Sequence, residues 1–312
     1  MAQTPNRGSR MPVPHHRFAN SPWRLGGLSV GEFLRRSIQG FREHHLDARS
    51  AQFAYYSMLF IAPLLILLIA VLAQLPVEGE IEGLSETAGR ALPAGADAVL
   101  MRQITDIQEH STLSLVLFSL LVAGFAGSQL FMTVSRGLNA AYHVVEVRRA
   151  WQVHGLALLV TLGAFVLLLA ALLLLLVGPI LAQWLVDHSF SPPLGLLLNR
   201  GFRWSVWGLV SLTCASVIYW LAPSIRLRWS LLTPGSLFAT LGWAATSRGF
   251  QFYVNNVGRY NETYGTIGGA IVLMVWLYLT GAVLMIGGQI NSTIYAGQRD
   301  QDGPLPPTDA PR

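Results

Sequence analysis

The sequence predicts an all-α polytopic membrane protein with six transmembrane helices, an amphipathic N-terminal helix and a helical external first loop. Three observations carry that prediction. Of 312 residues, 52% are hydrophobic and only 12% are charged, with a mean hydropathy of +0.46. Six stretches contain no Asp, Glu or Arg: Ser50–Val77, Ser111–Ser135, Ala150–Val186, Trp204–Ile225, Trp229–Ser247 and Thr263–Gln298. Each can hold the roughly 20 helical residues that cross a bilayer. The third observation is charge sidedness. With both termini on one side of six spans, fifteen of the 21 basic residues, all arginine, fall on that side. The positive-inside rule then places both termini in the cytoplasm.

Residues 1–28 are polar, Pro-containing and Arg-rich, without a short apolar core and cleavage site. They read as a disordered cytoplasmic tail, and the first apolar segment as an uncleaved anchor. Ser29–Leu46 places Phe33, Leu34, Ile38 and Phe41 on one helical face, with Arg35, Arg36, Gln39, Arg42 and Glu43 mostly elsewhere. Two placements suit that pattern: flat on the inner membrane surface, held by apolar insertion and anionic lipid, or packed on the bundle.

A membrane domain over 29–295 follows, with spans near 51–75, 112–135, 154–186, 204–223, 231–254 and 266–291. Between the first two, Pro76–His110 is acidic and too long for a tight hairpin, and it reads as a partly helical external cap. Trp151, Trp184, Trp204, Trp207, Trp220 and Trp229 lie near segment ends, as an aromatic belt requires. Residues 296–312 read as a second disordered cytoplasmic tail.

No acidic residue lies inside the six runs, so the buried carboxylate of many ion-coupled carriers is missing from them. Their polarity is neutral: Gln52, Tyr55, Tyr56, Ser128, Gln129, Gln289 and Asn291. Such groups bind a polar headgroup or bond helix to helix. Pro63 and Pro179 interrupt apolar helices and predict kinks. Arg248, late in the fifth span, is expected to snorkel to the external end of the last helical hairpin, with Glu262 its nearest acidic neighbour in sequence.

The net charge of +5 follows from topology and does not require a nucleic-acid partner. Cys214 is the only cysteine, which excludes an intrachain disulfide. The eight histidines are scattered over both sides, no His/Asp/Glu spacing suits a metal, and no Gly-rich phosphate loop with a following Lys is present. No cofactor is expected.

The densest pattern is Phe252–Gly269, FYVNNVGRYNETYGTIGG, which joins the last two spans. Its Asn and Gly content suits an ordered re-entry into the membrane. Together with AQFAYYSMLFIAP (Ala51–Pro63), SRGLNAAYHV (Ser135–Val144) and LLTPGSLFATLGW (Leu231–Trp243), it resembles the YihY/virulence factor BrkB family over about Ser29–Ile294. The resemblance implies a six-span bacterial inner-membrane protein linked to envelope integrity and export. It brings no established catalytic residues. The family's older name, ribonuclease BN, is generally regarded as a misassignment, and these residues offer no constellation that would support it.

The expected function is a transporter or flippase-like exporter of an amphiphilic or anionic substrate, working among membrane lipids. Tyr253, Asn256, Tyr260, Asn261, Tyr264, Gly265 and Arg248 would form its outer gate, and Gly265, Gly268 and Gly269 would allow close helix approach. Tyr55, Tyr56, Gln129, Asn139 and Tyr142 would line its inner vestibule. The alternative is a non-transporting scaffold for envelope machinery, acting as a homo-oligomer or with an envelope protein partner.

Overall fold

The computed structural model describes residues 22–72, 113–187, 192–225, 227–257 and 260–302. Among these there is helix and turn but no strand. A short 3-10 helix, Pro22–Gly27, precedes α1 (Val30–Glu43), α2 (Leu46–Leu72), α3 (Leu113–Ala141), α4 (Ala150–Asp187), α5 (Pro192–Leu221), α6 (Pro234–Val257) and α7 (Tyr260–Asp302). Each long helix packs on the next in sequence, and α7 packs back on α2, which closes a ring. Helices α3 and α7 also touch.

Over their described residues, α2, α3, α4 and α7 are long and apolar enough to cross a bilayer. Helix α5 contributes a shorter apolar stretch, Trp207–Leu221. Helix α6 carries Ser, Thr and Arg248 among its apolar residues and does not reach that hydropathy. The burial pattern is that of a membrane protein. Leu117, Phe118, Leu121 and Phe125 of α3 and Leu158, Leu159 and Leu162 of α4 point outward. Inside lie Ser50, Ser119, Ser128, Thr133, Ser135, Ser292 and Thr293. Lipid gives no reason to bury a leucine, whereas small and hydroxylated side chains let helices approach and bond.

The core occupies the end of the ring that carries the described chain's two ends. Leu46, Phe131, Leu138, Ala157, Ala215, Tyr219, Ala239 and Met285 meet there, one or more from each long helix. Backbones come closest where α6 meets α7. A Cβ on Gly235 would strike the Gly287 carbonyl oxygen and the Asn291 side chain. Glycine is needed at that contact for space. By contrast Gly269, expected to serve close approach, faces open space. The tight approaches on α7 lie lower, at Gly281, Gly287 and Gly288.

Helix α1 begins at Ser29, whose Oγ accepts from the Glu32 N–H at 3.3 Å. Its apolar residues do not share one environment as the sequence pattern implies. Phe33 and Gly40 are buried and Phe41 packs on the core. Leu34 and Ile38 are exposed, together with Val30. The helix is strapped to α7: Ser37 Oγ donates to Thr293 Oγ1, and Arg36 pairs with Asp300 at 2.9 Å. Arg35 and Arg36 both bond to Glu32 and hold its carboxyl at about 2, below the usual range.

The boundaries differ most at α7, which runs to Asp302, past the expected end at 291. Residues 296–302 are helix rather than tail, because Gly297 lies against the Gly26 carbonyl and Asp300 against Arg36. The 3-10 helix likewise packs on α7. Residues 1–21, 303–312 and the acidic loop expected to form an external cap lie outside the described residues.

Replacing Gly235 by Val should destabilise the detergent-solubilised protein by about 1–3 kcal/mol, as overpacking does. Gly249→Ala, which faces open space, should leave the thermal midpoint unchanged or raise it.

Candidate functional site

The best-defined polar construction lies where α5 ends. The final carbonyls of a helix lack partners within it, and near a membrane each must find one. Here Arg148, in the turn between α3 and α4, donates to the carbonyls of Leu221 at 3.1 Å and Ala222 at 2.9 Å. Ser135 Oγ also donates to Ala222 at 2.7 Å. Glu146 holds the guanidinium from the other side, with bonds of 2.7 Å from both Nε and Nη2. Asn139 joins the two loops: its Nδ2 donates to Glu146 at 2.9 Å and its Oδ1 accepts from the Ser224 N–H at 2.7 Å. The bonds from Arg148 hold the Glu146 carboxyl below its ordinary 4.5, against the opposing effect of partial burial.

The chain from Ser224 to Thr233 is then pinned along α5. Trp220 Nε1 donates to the Leu227 carbonyl at 3.0 Å, and Ser216 Oγ to that of Leu231 at 2.6 Å. Trp220 and Trp229 meet edge to face at 5.3 Å. Thr233 starts α6, and it exchanges backbone-to-side-chain bonds with Ser236 at 2.9 and 3.0 Å. This is the reciprocal logic of a capping box. Pro234 stands at the first helical position, where a missing N–H costs nothing. Asn291 of α7 clamps the start, accepting from Gly235 N at 2.9 Å and donating to Thr233 Oγ1 at 3.1 Å.

Between this pinned segment, the end of α5 and the lower part of α7 lies a half-open cavity of roughly 200 Å³. Tyr142, Tyr219, Trp220 and Tyr295 supply its aromatic walls, and Arg228 and Ser230 lie among its lining residues. Tyr142 and Tyr295 meet at 5.7 Å. Burial raises the Tyr142 phenol above its ordinary value, which keeps it neutral.

Of the expected inner vestibule, Tyr142 lines this cavity and Asn139 belongs to the polar network beside it. Tyr55 is 59% exposed and stacks on Tyr56 at 5.2 Å, and neither reaches the cavity. Gln129 is half-buried in α3 and does not line it either. Tyr55, Tyr56 and Gln129 sit higher in α2 and α3, above the pinned segment.

The outer-gate residues fall elsewhere. Tyr253 and Arg248 are exposed on α6. The backbone of Phe252–Gly269 is helical except at 258–259, which lie outside the described residues, as do the side chains of Asn256, Tyr260, Asn261 and Tyr264. Gly265 sits on the helical backbone of α7. Pro63 and Pro179 lie inside α2 and α4, and both helices continue through them.

Sequence reasoning missed two groupings. His44 and His143 stand edge to face at 4.8 Å, and His44 Nδ1 lies 3.3 Å from Gln289 Oε1. His45 and His143 carry φ of 50° and 53° at two chain reversals. The other missed grouping joins Tyr219 and Ser230 to Trp220 and Asn291, which the sequence marked only as a belt residue and a polar span residue; its signal was the Trp220/Trp229 pair beside Thr-Pro-Gly. Among the described residues no three His, Cys, Asp or Glu side chains converge.

The blocks that shape this site, Ser135–Val144, Leu231–Trp243 and the lower part of α7, lie within residues 37–311, which match the family described as virulence factor BrkB. The chain belongs to the virulence factor BrkB family. It is 33% identical over 276 residues to a Bacillus subtilis protein named "putative ribonuclease-like protein YfkH", covering 86% of this chain and 98% of that one. It is 26% identical to a UPF0761 membrane protein of Methylibium petroleiphilum, over 82% of this chain. A UPF0761 membrane protein of Chromohalobacter salexigens is 25% identical over 85% of it. The BrkB-family chain spans 61% and 63% of those two longer relatives. No solved structure matches it.

Arg148→Ala should destabilise this family member by about 2–3 kcal/mol, since two helix carbonyls and Glu146 lose a charged partner. The pH dependence has a definite sign. Glu146 binds its proton less tightly folded than unfolded, so its contribution is complete above 4.5 and is lost as pH falls below that value. Thermal midpoints of Glu146→Gln should fall less than those of the parent protein through that acid window.

Proposed function

We propose that this multi-pass membrane protein is a transporter or flippase-like exporter of an amphiphilic or anionic substrate, acting in the bacterial inner membrane and supporting envelope integrity. The observation that carries this reading is the half-open cavity at the arginine-rich end. Its walls are aromatic and apolar, its lining includes Arg228, and no Asp or Glu lines it among the described residues. Such a lining accommodates an apolar body with a negative head. Arg35, Arg36, Arg42, Arg49, Arg148, Arg149 and Arg299 belong to the same end, which the positive-inside rule assigns to the cytoplasm. The cavity is then the cytoplasmic entrance, and Phe252–Gly269 is the opposite gate. The ribonuclease-like name of the Bacillus relative is not carried over.

The scaffold reading draws on a different observation. Asn291, Ser292 and Thr293 of α7 bond to the start of α6, the end of α3 and Ser37 of α1, and Gln289 Oε1 lies 3.3 Å from His44 Nδ1, as in a rigid packing core.

Reconstitution decides between them. Liposomes containing the protein should move at least one labelled anionic lipid or solute. Ser230→Trp, which fills the cavity mouth from an exposed loop position, should reduce that movement several-fold without changing the thermal midpoint. Equal rates in protein-free liposomes, across lipid and solute libraries and under every gradient, would defeat the transport reading.

A further inference from the structure

The cavity's mouth carries a ligand preference that its aromatic walls alone do not explain. Arg228 is exposed there and makes no ion pair or hydrogen bond among the described residues. The backbone on either side of it is held. Leu227, the residue before it, donates its N–H to Ile225 O at 3.2 Å and accepts from Trp220. Trp229, the residue after it, is held against the Trp220 ring. The loop therefore presents an exposed guanidinium, without a hydrogen-bond partner among the described residues, at the edge of a concave site.

The other polar groups around the cavity are largely committed. Tyr219 Oη donates to the Leu284 carbonyl at 2.7 Å and Ser216 Oγ to that of Leu231. The first amides of α6 are taken by Asn291 and Thr233, so that helix start has little left to offer an anion. Arg228 remains the group suited to recognise one, and its planar fork matches a phosphate in bidentate fashion. A half-open cavity of roughly 200 Å³ is of a size to take a headgroup rather than a whole lipid with its acyl chains. Just outside, Leu232, Phe238 and Leu241 are exposed at 51%, 39% and 61%, one beside the lining residue Thr233 and two further along α6, away from the arginine-rich end. They give an apolar chain somewhere to lie.

We propose that the cavity binds the phosphate-bearing headgroup of a phospholipid, with Arg228 pairing to the phosphate. The aromatic walls take the glycerol and headgroup carbons, and the acyl chains run out over Leu232, Phe238 and Leu241. This deepens the transport reading and rests on it only in treating the site as the loading position; binding itself stands without turnover.

Native mass spectrometry of the full-length protein tests it, with phosphatidylglycerol, diacylglycerol and inorganic phosphate titrated separately. Phosphatidylglycerol should add one saturable copy that diacylglycerol does not. Arg228→Ala should weaken it about tenfold, the loss expected of one charge-assisted pair, and Arg228→Lys should recover part of that. Arg49→Ala, whose side chain bonds to Gln52, should bind as the parent does. Unchanged binding in Arg228→Ala, or equal binding of diacylglycerol, would overturn the proposal. Inorganic phosphate binding as tightly as the lipid would support Arg228 as an anion site and overturn the acyl track. Headgroup binding without any transport would overturn the transport reading alone, whereas transport with Arg228-independent binding would overturn this site alone.

Discussion

Arg148 is the residue on which the arginine-rich end depends. A helix end partly buried against its neighbours leaves carbonyl oxygens short of solvent partners, and α5 ends beneath the turn that carries Arg148. One guanidinium meets both carbonyls, and Glu146 and Asn139 hold it in place. The same contacts decide where the following segment goes. Ser224 is caught by Asn139, Leu227 by Trp220 and Leu231 by Ser216. The chain lies down along α5 before entering α6, and the space beside it is the cavity. The pocket thus follows from a backbone-satisfaction problem solved in one particular way.

Helix α7 is the second constraint. It touches α2, α3 and α6 and carries the straps of α1 and the 3-10 helix. Its polar residues act as joints: Asn291 to the start of α6, Ser292 to the Ala141 carbonyl at the end of α3, and Thr293 to Ser37 of α1. Its glycines set how close those neighbours come.

Much of the fold was legible because membrane helices announce themselves by hydropathy and length, and alternating direction follows from their order. What periodicity could not separate was the two partners of an amphipathic helix. Phe33 and Leu34 look alike in sequence, yet one is buried against the bundle and the other exposed, since bundle and lipid are both apolar. The helix end at Asp302 was missed for a related reason: its polar last turns are held by Arg36 and Gly26, contacts distant in sequence.

The site was less legible. The motif-rich stretch Phe252–Gly269 drew attention because Asn, Tyr and Gly cluster there, whereas the cavity is assembled from single residues on four segments. Tyr142 and Asn139 were recognised because they stand together in one block; Tyr219, Arg228 and Tyr295 carry no local signal of their own. The central claim is that these residues enclose a space open to water from the arginine-rich side. Thiol labelling tests it most directly, using Tyr295→Cys and Leu138→Cys in a Cys214→Ala background and a membrane-impermeant maleimide applied from that side. Rapid labelling at 295, with 138 protected until denaturation, is the predicted result. Equal protection at both positions would mean that the helices pack solid there, and would contradict the account.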